Sequence, residues 1–317
     1  VTDRCNFRCR YCMPKELFGE AFRYLPQAEI LTYEEITRLS RLFRELGVEK
    51  LRLTGGEPLL RRDLPDLVAM LRRIPGMDLA LTTNGSLLTE MAGPLAEAGL
   101  GRVTVSVDCL DEETFRRMND VDFPLSDVLD GIDTAAAAGL APIKINAVVK
   151  RGVNEHAVVE LARYFRERGM ILRFIEYMDV GTTNGWRLDD VVPAREIVAT
   201  IDRVLPIEAV EANYPGEVAR RWRYRDGGGE IGIIASVTAP FCGGCTRARL
   251  SADGRLYTCL FSEAGHDLRG PLRSGWDDRR LAERIGSIWQ ARTDRYSEER
   301  AAAAAGRERP EMSYLGG

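Results

Sequence analysis

Lysine is almost missing from this chain of 317 residues. Only Lys15, Lys50, Lys144 and Lys150 occur, so nearly all of the 44 basic side chains are arginine. A lone arginine therefore says little about function here, and a lysine in an unusual place says more. Histidine is scarcer still, with only His156 and His266, which excludes a site built from several imidazoles. An excess of one charge is also lacking. The 44 basic residues face 48 acidic ones, for a formal net charge of −4, which argues against the broad cationic footprint of a nucleic-acid binder. No apolar run approaches the roughly 18–20 residues of a membrane span. No secretory signal is visible.

What is present is an ordinary globular composition, 45% hydrophobic and 29% charged. The length suits one large barrel-type domain with an appendage, or two domains. The seven cysteines are not ordinary. Six form two tight groups, Cys5/Cys9/Cys12 and Cys242/Cys245/Cys259, and Cys109 is left over. A disulfide framework would use an even, dispersed set in a small secreted chain. Clustered trios in a long chain read instead as metal or cluster ligands, and they favour a reducing, cytoplasmic setting.

Thr32 reads as the N-cap of a helix reaching residue 46, with Gly47 as its stop. Strands are expected over 50–54, 79–82, 102–107, 143–149 and 172–177, and helices over 63–73, 88–98 and 154–168. Strands alternating with amphipathic helices imply a parallel sheet. With a truncated strand before Asp3, about six β/α units are expected: an α/β fold, a partial (β/α)6 TIM-like barrel over residues 1–191. From 192 to 317 the rhythm fades. That stretch reads as a C-terminal extension carrying the second cysteine group, with the alanine run at 301–305 inside it. The unusual residues sit at the C-terminal ends of the strands, the edge that carries active sites in β/α barrels.

The first group has the spacing C-x3-C-x2-C. Three thiolates on a short loop can hold three irons of a cubane and leave the fourth iron open to an outside ligand. An open position is a catalytic feature, by the logic that separates catalytic from structural zinc. A zinc knuckle is the competing reading, but zinc usually takes four ligands, and no fourth Cys or His lies nearby. The spacing, with the aromatic Tyr11 just before the third cysteine, resembles the radical S-adenosylmethionine superfamily. Gly55-Gly56-Glu57-Pro58 is similar to that family's Gly-Gly-Glu motif. Glycine there is expected to allow close backbone approach to the cofactor's amino group.

The second group is C-x2-C-x13-C, again three thiols. Structural zinc with His266 as fourth ligand is the competing reading. Between its cysteines lies Thr246-Arg247-Ala248-Arg249-Leu250. On a strand, residues two apart face the same way, which pairs Arg247 with Arg249, Lys50 with Arg52, and Lys144 with Asn146. Arg173 can join them. Cations turned into a barrel are costly unless paired with anions. The set therefore reads as a polyanion site, such as one for a triphosphate, which arginine grips by bidentate hydrogen bonds.

Both features together resemble the GTP 3′,8-cyclase (MoaA) family of molybdenum cofactor biosynthesis. The likeness rests on residues 2–13 with Pro14, 53–58, Thr82-Thr83-Asn84-Gly85, Lys144-Ile145-Asn146, 173–178, the C-x2-C-x13-C group and the terminal Gly316-Gly317. It implies two [4Fe–4S] clusters, on Cys5, Cys9 and Cys12 and on Cys242, Cys245 and Cys259. It places S-adenosylmethionine against Tyr11, Gly56, Ser106 and Met178. GTP would meet Arg52, Thr83, Lys144 and the run Arg247-Ala248-Arg249, with Lys50 and Arg173 also near, and the guanine would bind the second cluster's open iron. No protein acid or base is expected. The adenosyl radical would take hydrogen from ribose C3′ and the resulting carbon radical attack guanine C8, while the Gly316-Gly317 tail enters the pocket. Implied partners are GTP, a MoaC-type cyclic pyranopterin monophosphate synthase downstream, an electron donor such as flavodoxin or ferredoxin, and a second copy of the chain. No nucleic acid and no membrane are expected. The family carries a strand and an arginine shortly before the Thr2–Cys5 motif that are not among these 317 residues, so one phosphate contact is expected to be lost. Cys109 matches no ligand position and reads as a small buried residue. A radical enzyme that modifies peptides, and a zinc-binding interaction protein, are the alternative readings.

Overall fold

A computed structural model describes residues 1–300 and 309–316. Five parallel strands run in chain order: β1 (Lys50–Leu53), β2 (Asp78–Thr83), β3 (Arg102–Ser106), β4 (Lys144–Val149) and β5 (Ile171–Glu176). Helices α1 (Tyr33–Glu45), α2 (Leu64–Arg72), α3 (Leu88–Glu97), α4 (Glu112–Asn119), α5 (Leu125–Ala137) and α6 (Val158–Glu167) precede or connect them. Local chemistry explains where they begin. Thr32 caps α1 in a full capping box with Glu35, and Asp111 accepts the first amides of α4.

The expected six parallel strands are there, but the sixth has a different origin. Residues 1–4 form no strand; they only hydrogen-bond along the end of β1, as in Gly56 N to Thr2 O at 3.0 Å. The sixth place goes to β8 (Glu230–Ile234), which pairs in parallel with β5. Before it come α7 (Ala194–Asp202), β6 (Ile207–Val210) and β7 (Arg220–Tyr224), and the order β8-β7-β6 continues the sheet by antiparallel pairing. Beyond β8 a small sheet of β9 (Arg249–Leu250), β10 (Arg255–Tyr257) and β11 (His266–Asp267) follows, then α8 (Arg269–Arg273), α9 (Asp278–Gln290), α10 (Tyr296–Glu299) and α11 (Met312–Leu315).

Alternation along the strands divides the two faces of the sheet. In β4 and β5 every second residue is buried. Leu81, Val105, Ile145 and Phe174 join Leu67, Leu95, Ile132 and Phe165 in one apolar core. The residues between them point to the other face, and they are largely polar. Among the described residues no helix is long and apolar enough to cross a membrane.

Candidate active site

The first cysteine loop is held from two sides. Arg8 and Arg10 amides donate to the carbonyls of Asn119 and Met118, tying the loop to the end of α4. On the other side the Gly55-Gly56-Glu57 turn grips the segment leading into Cys5. Gly56 N bonds Thr2 O at 3.0 Å and Glu57 N bonds Arg4 O at 2.7 Å. A Cβ on Gly55 would stand 2.2 Å from Thr2 O, and one on Gly56 2.3 Å from Arg4 O. The glycines are thus required by the chain's own backbone, a reason different from the approach to a cofactor expected above. Glu57 is fully buried and accepts from Leu59 N, Asn84 N and Thr83 Oγ1. Burial still pushes its carboxyl up to about 7.

Sulfur in this loop has donors waiting for it. Phe7 N lies 3.4 Å and Asn84 Nδ2 3.8 Å from Cys5 Sγ, and the Ser313 amide faces Cys12. Burial first, then mutual repulsion, holds the Cys9 thiol well above its ordinary range; burial takes Cys5 up to about 11. Three crowded thiols cannot ionise here without a compensating metal charge. A single zinc, with Zn–S of about 2.3 Å, needs thiolates within about 4 Å of each other. Neither trio is that tight. Among the described residues the group of metal-ligand types lying within 4.8 Å is Cys109, Asp111 and His156. Cys109 itself is fully buried, its thiol 3.6 Å from Asp111 Oδ2. The wider trios, with N–H donors aimed at sulfur, suit a cubane. His266 is exposed on β11 and joins no such group.

Tyr11 is anchored by a residue outside the expected set. Its hydroxyl donates to Asp108 Oδ2 at 2.7 Å, while Asp108 Oδ1 accepts Val148 N at 2.8 Å. Burial raises Asp108 to about 6. Ser106 sits two residues before it, level with Asn146 on β4. Met178 follows β5, its carbonyl accepting from Asn184 Nδ2.

The polar face of the sheet is a basic row, as strand parity requires. Arg52 Nη1 donates to Thr82 Oγ1 at 2.8 Å and Thr104 Oγ1 at 3.1 Å. Arg173 reaches Asn146 Oδ1 at 3.0 Å and Thr104 Oγ1 at 3.4 Å. Gly232 of β8, paired with Arg173, leaves that side chain its room: a Cβ there would be 3.0 Å from Arg173 Cγ. Burial and then neighbouring arginines lower Lys144 to about 8 and Arg173 to about 10. Thr83 points away from this row, toward Glu57. Lys50 stands over the Tyr214 ring at 4.6 Å. Two residues on, a Cβ at Gly216 would be 2.8 Å from Gly244 O. The 214–216 segment therefore joins the basic row to the second cysteine loop.

That loop opens on a single 3-10 turn, Cys242–Gly244, which the extended Cys245 ends. Ala248 is exposed between half-buried Arg247 and Arg249, so the two arginines share a side. Burial, then Arg247, lowers Arg249 to about 10, while Cys259 and Cys245 oppose the shift. Burial raises the Cys245 thiol, but Arg247 and then Arg292 outweigh it and leave it below its ordinary value. Arg292, on no motif and 47 residues away, also donates to Cys245 O. Phe261 N lies 3.4 Å from Cys259 Sγ.

The C-terminal tail closes the arrangement. Tyr314 Oη donates to Asp253 Oδ1 at 2.6 Å on the β9–β10 hairpin, and Leu315 is buried. Gly316 has φ +76, and a Cβ on it would be 2.3 Å from Thr54 Cγ2. Both facts demand glycine. Gly317 and the alanine run at 301–305 lie outside the described residues.

Comparison with known proteins bears on this site. A radical SAM superfamily model matches residues 1–165, and a Molybdenum Cofactor Synthesis C model matches residues 170–298. The chain is 57% identical over 343 aligned positions to the GTP 3′,8-cyclase of Acidothermus cellulolyticus, covering 100% of this chain and 95% of that one. It is 46% identical over 322 positions to the GTP 3′,8-cyclase of Staphylococcus aureus strain MRSA252, covering 100% and 94%. In fold it is similar to Streptococcus suis SuiB bound to S-adenosylmethionine, with a TM-score of 0.53 at 17% identity, over 64% of this chain and 46% of that one.

Proposed function

The chain belongs to the GTP 3′,8-cyclase family of the radical S-adenosylmethionine superfamily, and from that premise we propose how its residues share the work. It is a lyase of molybdenum cofactor biosynthesis that cyclises GTP to (8S)-3′,8-cyclo-7,8-dihydroguanosine 5′-triphosphate, with S-adenosylmethionine and two [4Fe–4S] clusters as cofactors. When bound, the clusters supply an electron for cleaving S-adenosylmethionine at the first trio and an open iron for the guanine at the second.

The observation that carries the division of labour is the basic row, which starts inside the sheet and continues through 214–216 to the second cysteine loop. Lys50, Arg52, Lys144 and Arg173 bind the triphosphate, and Arg247 and Arg249 hold the nucleotide over Cys242, Cys245 and Cys259. Ala248 offers its backbone between them. Thr83 acts through Glu57, keeping the Thr83–Gly85 turn in place beside Cys5. Tyr11, fixed by Asp108, presents its ring to the adenine, and Gly56, Ser106 and Met178 complete that site. The Gly316-Gly317 tail enters the pocket, and Gly316 is held against Thr54 at the end of β1. Residues 1–191 then form the part that handles S-adenosylmethionine, and 192–317 the part that handles the second cluster and the substrate.

The product goes to a MoaC-type cyclic pyranopterin monophosphate synthase, and a flavodoxin or ferredoxin supplies the electron, in the cytoplasm and with the chain as a homodimer. Anaerobic reconstitution tests the whole reading. It should give about eight irons per chain and convert GTP with release of 5′-deoxyadenosine. Four irons, or turnover of a peptide but not GTP, contradicts it.

A further inference from the structure

One buried carboxylate gathers the C-terminal part of the molecule. Asp179, 7% exposed, lies on the loop after β5, next to Met178. It accepts hydrogen bonds from Tyr296 Oη at 2.5 Å and Arg300 Nε at 2.9 Å, and Arg309 Nη1 lies 3.7 Å away. Arg300 and Arg309 stand on either side of residues 301–308, so the chain leaves this carboxylate and returns to it. Both guanidiniums also lie against the Tyr296 ring, which stacks on Phe261 two residues past Cys259. The same loop then receives Glu311: its carboxylate accepts from Thr182 N and from Thr183 Oγ1, each at 2.9 Å. From there Ser313, Tyr314 and Gly316 reach Cys12, Asp253 and Thr54.

Two guanidiniums with 12% and 16% of their surface exposed repel each other and lose hydration. A shared anion is what keeps such groups together. We propose that Asp179 is the positioning residue of the tail: by holding Arg300 and Arg309 at one point, it sets where residues 309–316 enter the active site. Because it adjoins Met178, tail placement and the S-adenosylmethionine pocket are built on one loop. The proposal rests on the reading above only for what the tail does in turnover.

Hydrogen–deuterium exchange on the anaerobic, reconstituted enzyme tests it. The amides of Tyr314, Leu315 and Gly316 bond to Glu311 O and Met312 O. In Asp179→Asn a peptide covering 309–316 should exchange at least tenfold faster, while strand 171–176 and the iron content stay as in the parent. Asp179→Glu should recover most of the protection. Tail exchange as slow in Asp179→Asn as in the parent overturns the proposal. If Asp179→Asn loosens the whole fold, Arg309→Gln removes only the tail-side partner; faster exchange confined to the tail supports the proposal, and unchanged exchange overturns it. Cyclisation in Asp179→Asn should fall about tenfold with GTP binding kept. Faster tail exchange with parent-rate cyclisation leaves Asp179 as the anchor and overturns the role given to the tail.

Discussion

The two cysteine trios each offer three thiols, in different electrostatic surroundings. Near Cys5, Cys9 and Cys12 stand the buried carboxyls of Asp108 and Glu57. Arg8, the cation that acts on Cys5, is engaged by the carbonyls of Cys5, Phe7 and Phe18. Near Cys245 stand Arg247 and Arg292, and near Cys259 stand Arg249 and one acid, Asp294. On the proposed division of labour two sets of three thiols serve two ligands, and the neighbouring charges differ to match. Carboxyls suit a sulfonium that also carries an ammonium. Guanidiniums suit an anionic nucleotide.

The sharpest way to break the comparison is to remove one trio at a time. Replacing Cys5, Cys9 and Cys12 by Ala should abolish 5′-deoxyadenosine formation and leave about four irons on the second trio. Replacing Cys242, Cys245 and Cys259 should leave S-adenosylmethionine cleavage measurable and eliminate cyclised product. Iron analysis with chromatography of both products reads each arm, and the account fails if the first variant still makes 5′-deoxyadenosine. Next in size is Gly316→Ala. The new methyl meets Thr54 and the backbone is strained at φ +76, so most cyclisation should be lost with both clusters and GTP binding retained. A parent rate in that variant would mean that the tail is only a frayed end.

Smaller effects sharpen the contrast. Arg247→Ala and Arg249→Ala should each cost about 1.5–3 kcal/mol of transition-state binding, roughly 10- to 150-fold in kcat/KM for GTP, with iron content untouched. Unchanged kinetics in both would remove the polyanion reading. The least effect concerns pH. Lys144 in the free enzyme is lowered to about 8, by burial first and then by Arg173 and Arg102. A bound triphosphate favours the charged form and raises that pKa. GTP affinity is therefore full below pH 8 and falls as pH climbs above it, by about tenfold near pH 9. Lys144→Arg should flatten that profile in equilibrium binding, and a flat profile in the parent contradicts the assignment.

Much of this was legible in the sequence because it is local. The α1 capping box, the β/α rhythm and the inward parity of Lys50, Arg52, Lys144 and Arg173 follow from residue spacing. What depended on distant parts meeting was not legible. The sixth parallel strand is Glu230–Ile234, set beside β5 by pairing across the long excursion through α7, β6 and β7. Gly55 and Gly56 make room for Thr2 and Arg4, some fifty residues earlier. Arg292 and Asp179 belong to no motif, and their weight comes only from what folding places against them. Asp108 carried the one usable signal: an acid two residues past the inward-facing Ser106 at a strand end.

The most direct test of the division between the trios follows one hydrogen atom. The reconstituted enzyme is incubated without oxygen with S-adenosylmethionine and GTP deuterated at ribose C3′, and the 5′-deoxyadenosine is weighed by mass spectrometry. If the first trio's cofactor acts on a nucleotide seated at the second, the 5′-deoxyadenosine carries the deuterium. Deuterium left wholly in the GTP, with unlabelled 5′-deoxyadenosine released, contradicts the account.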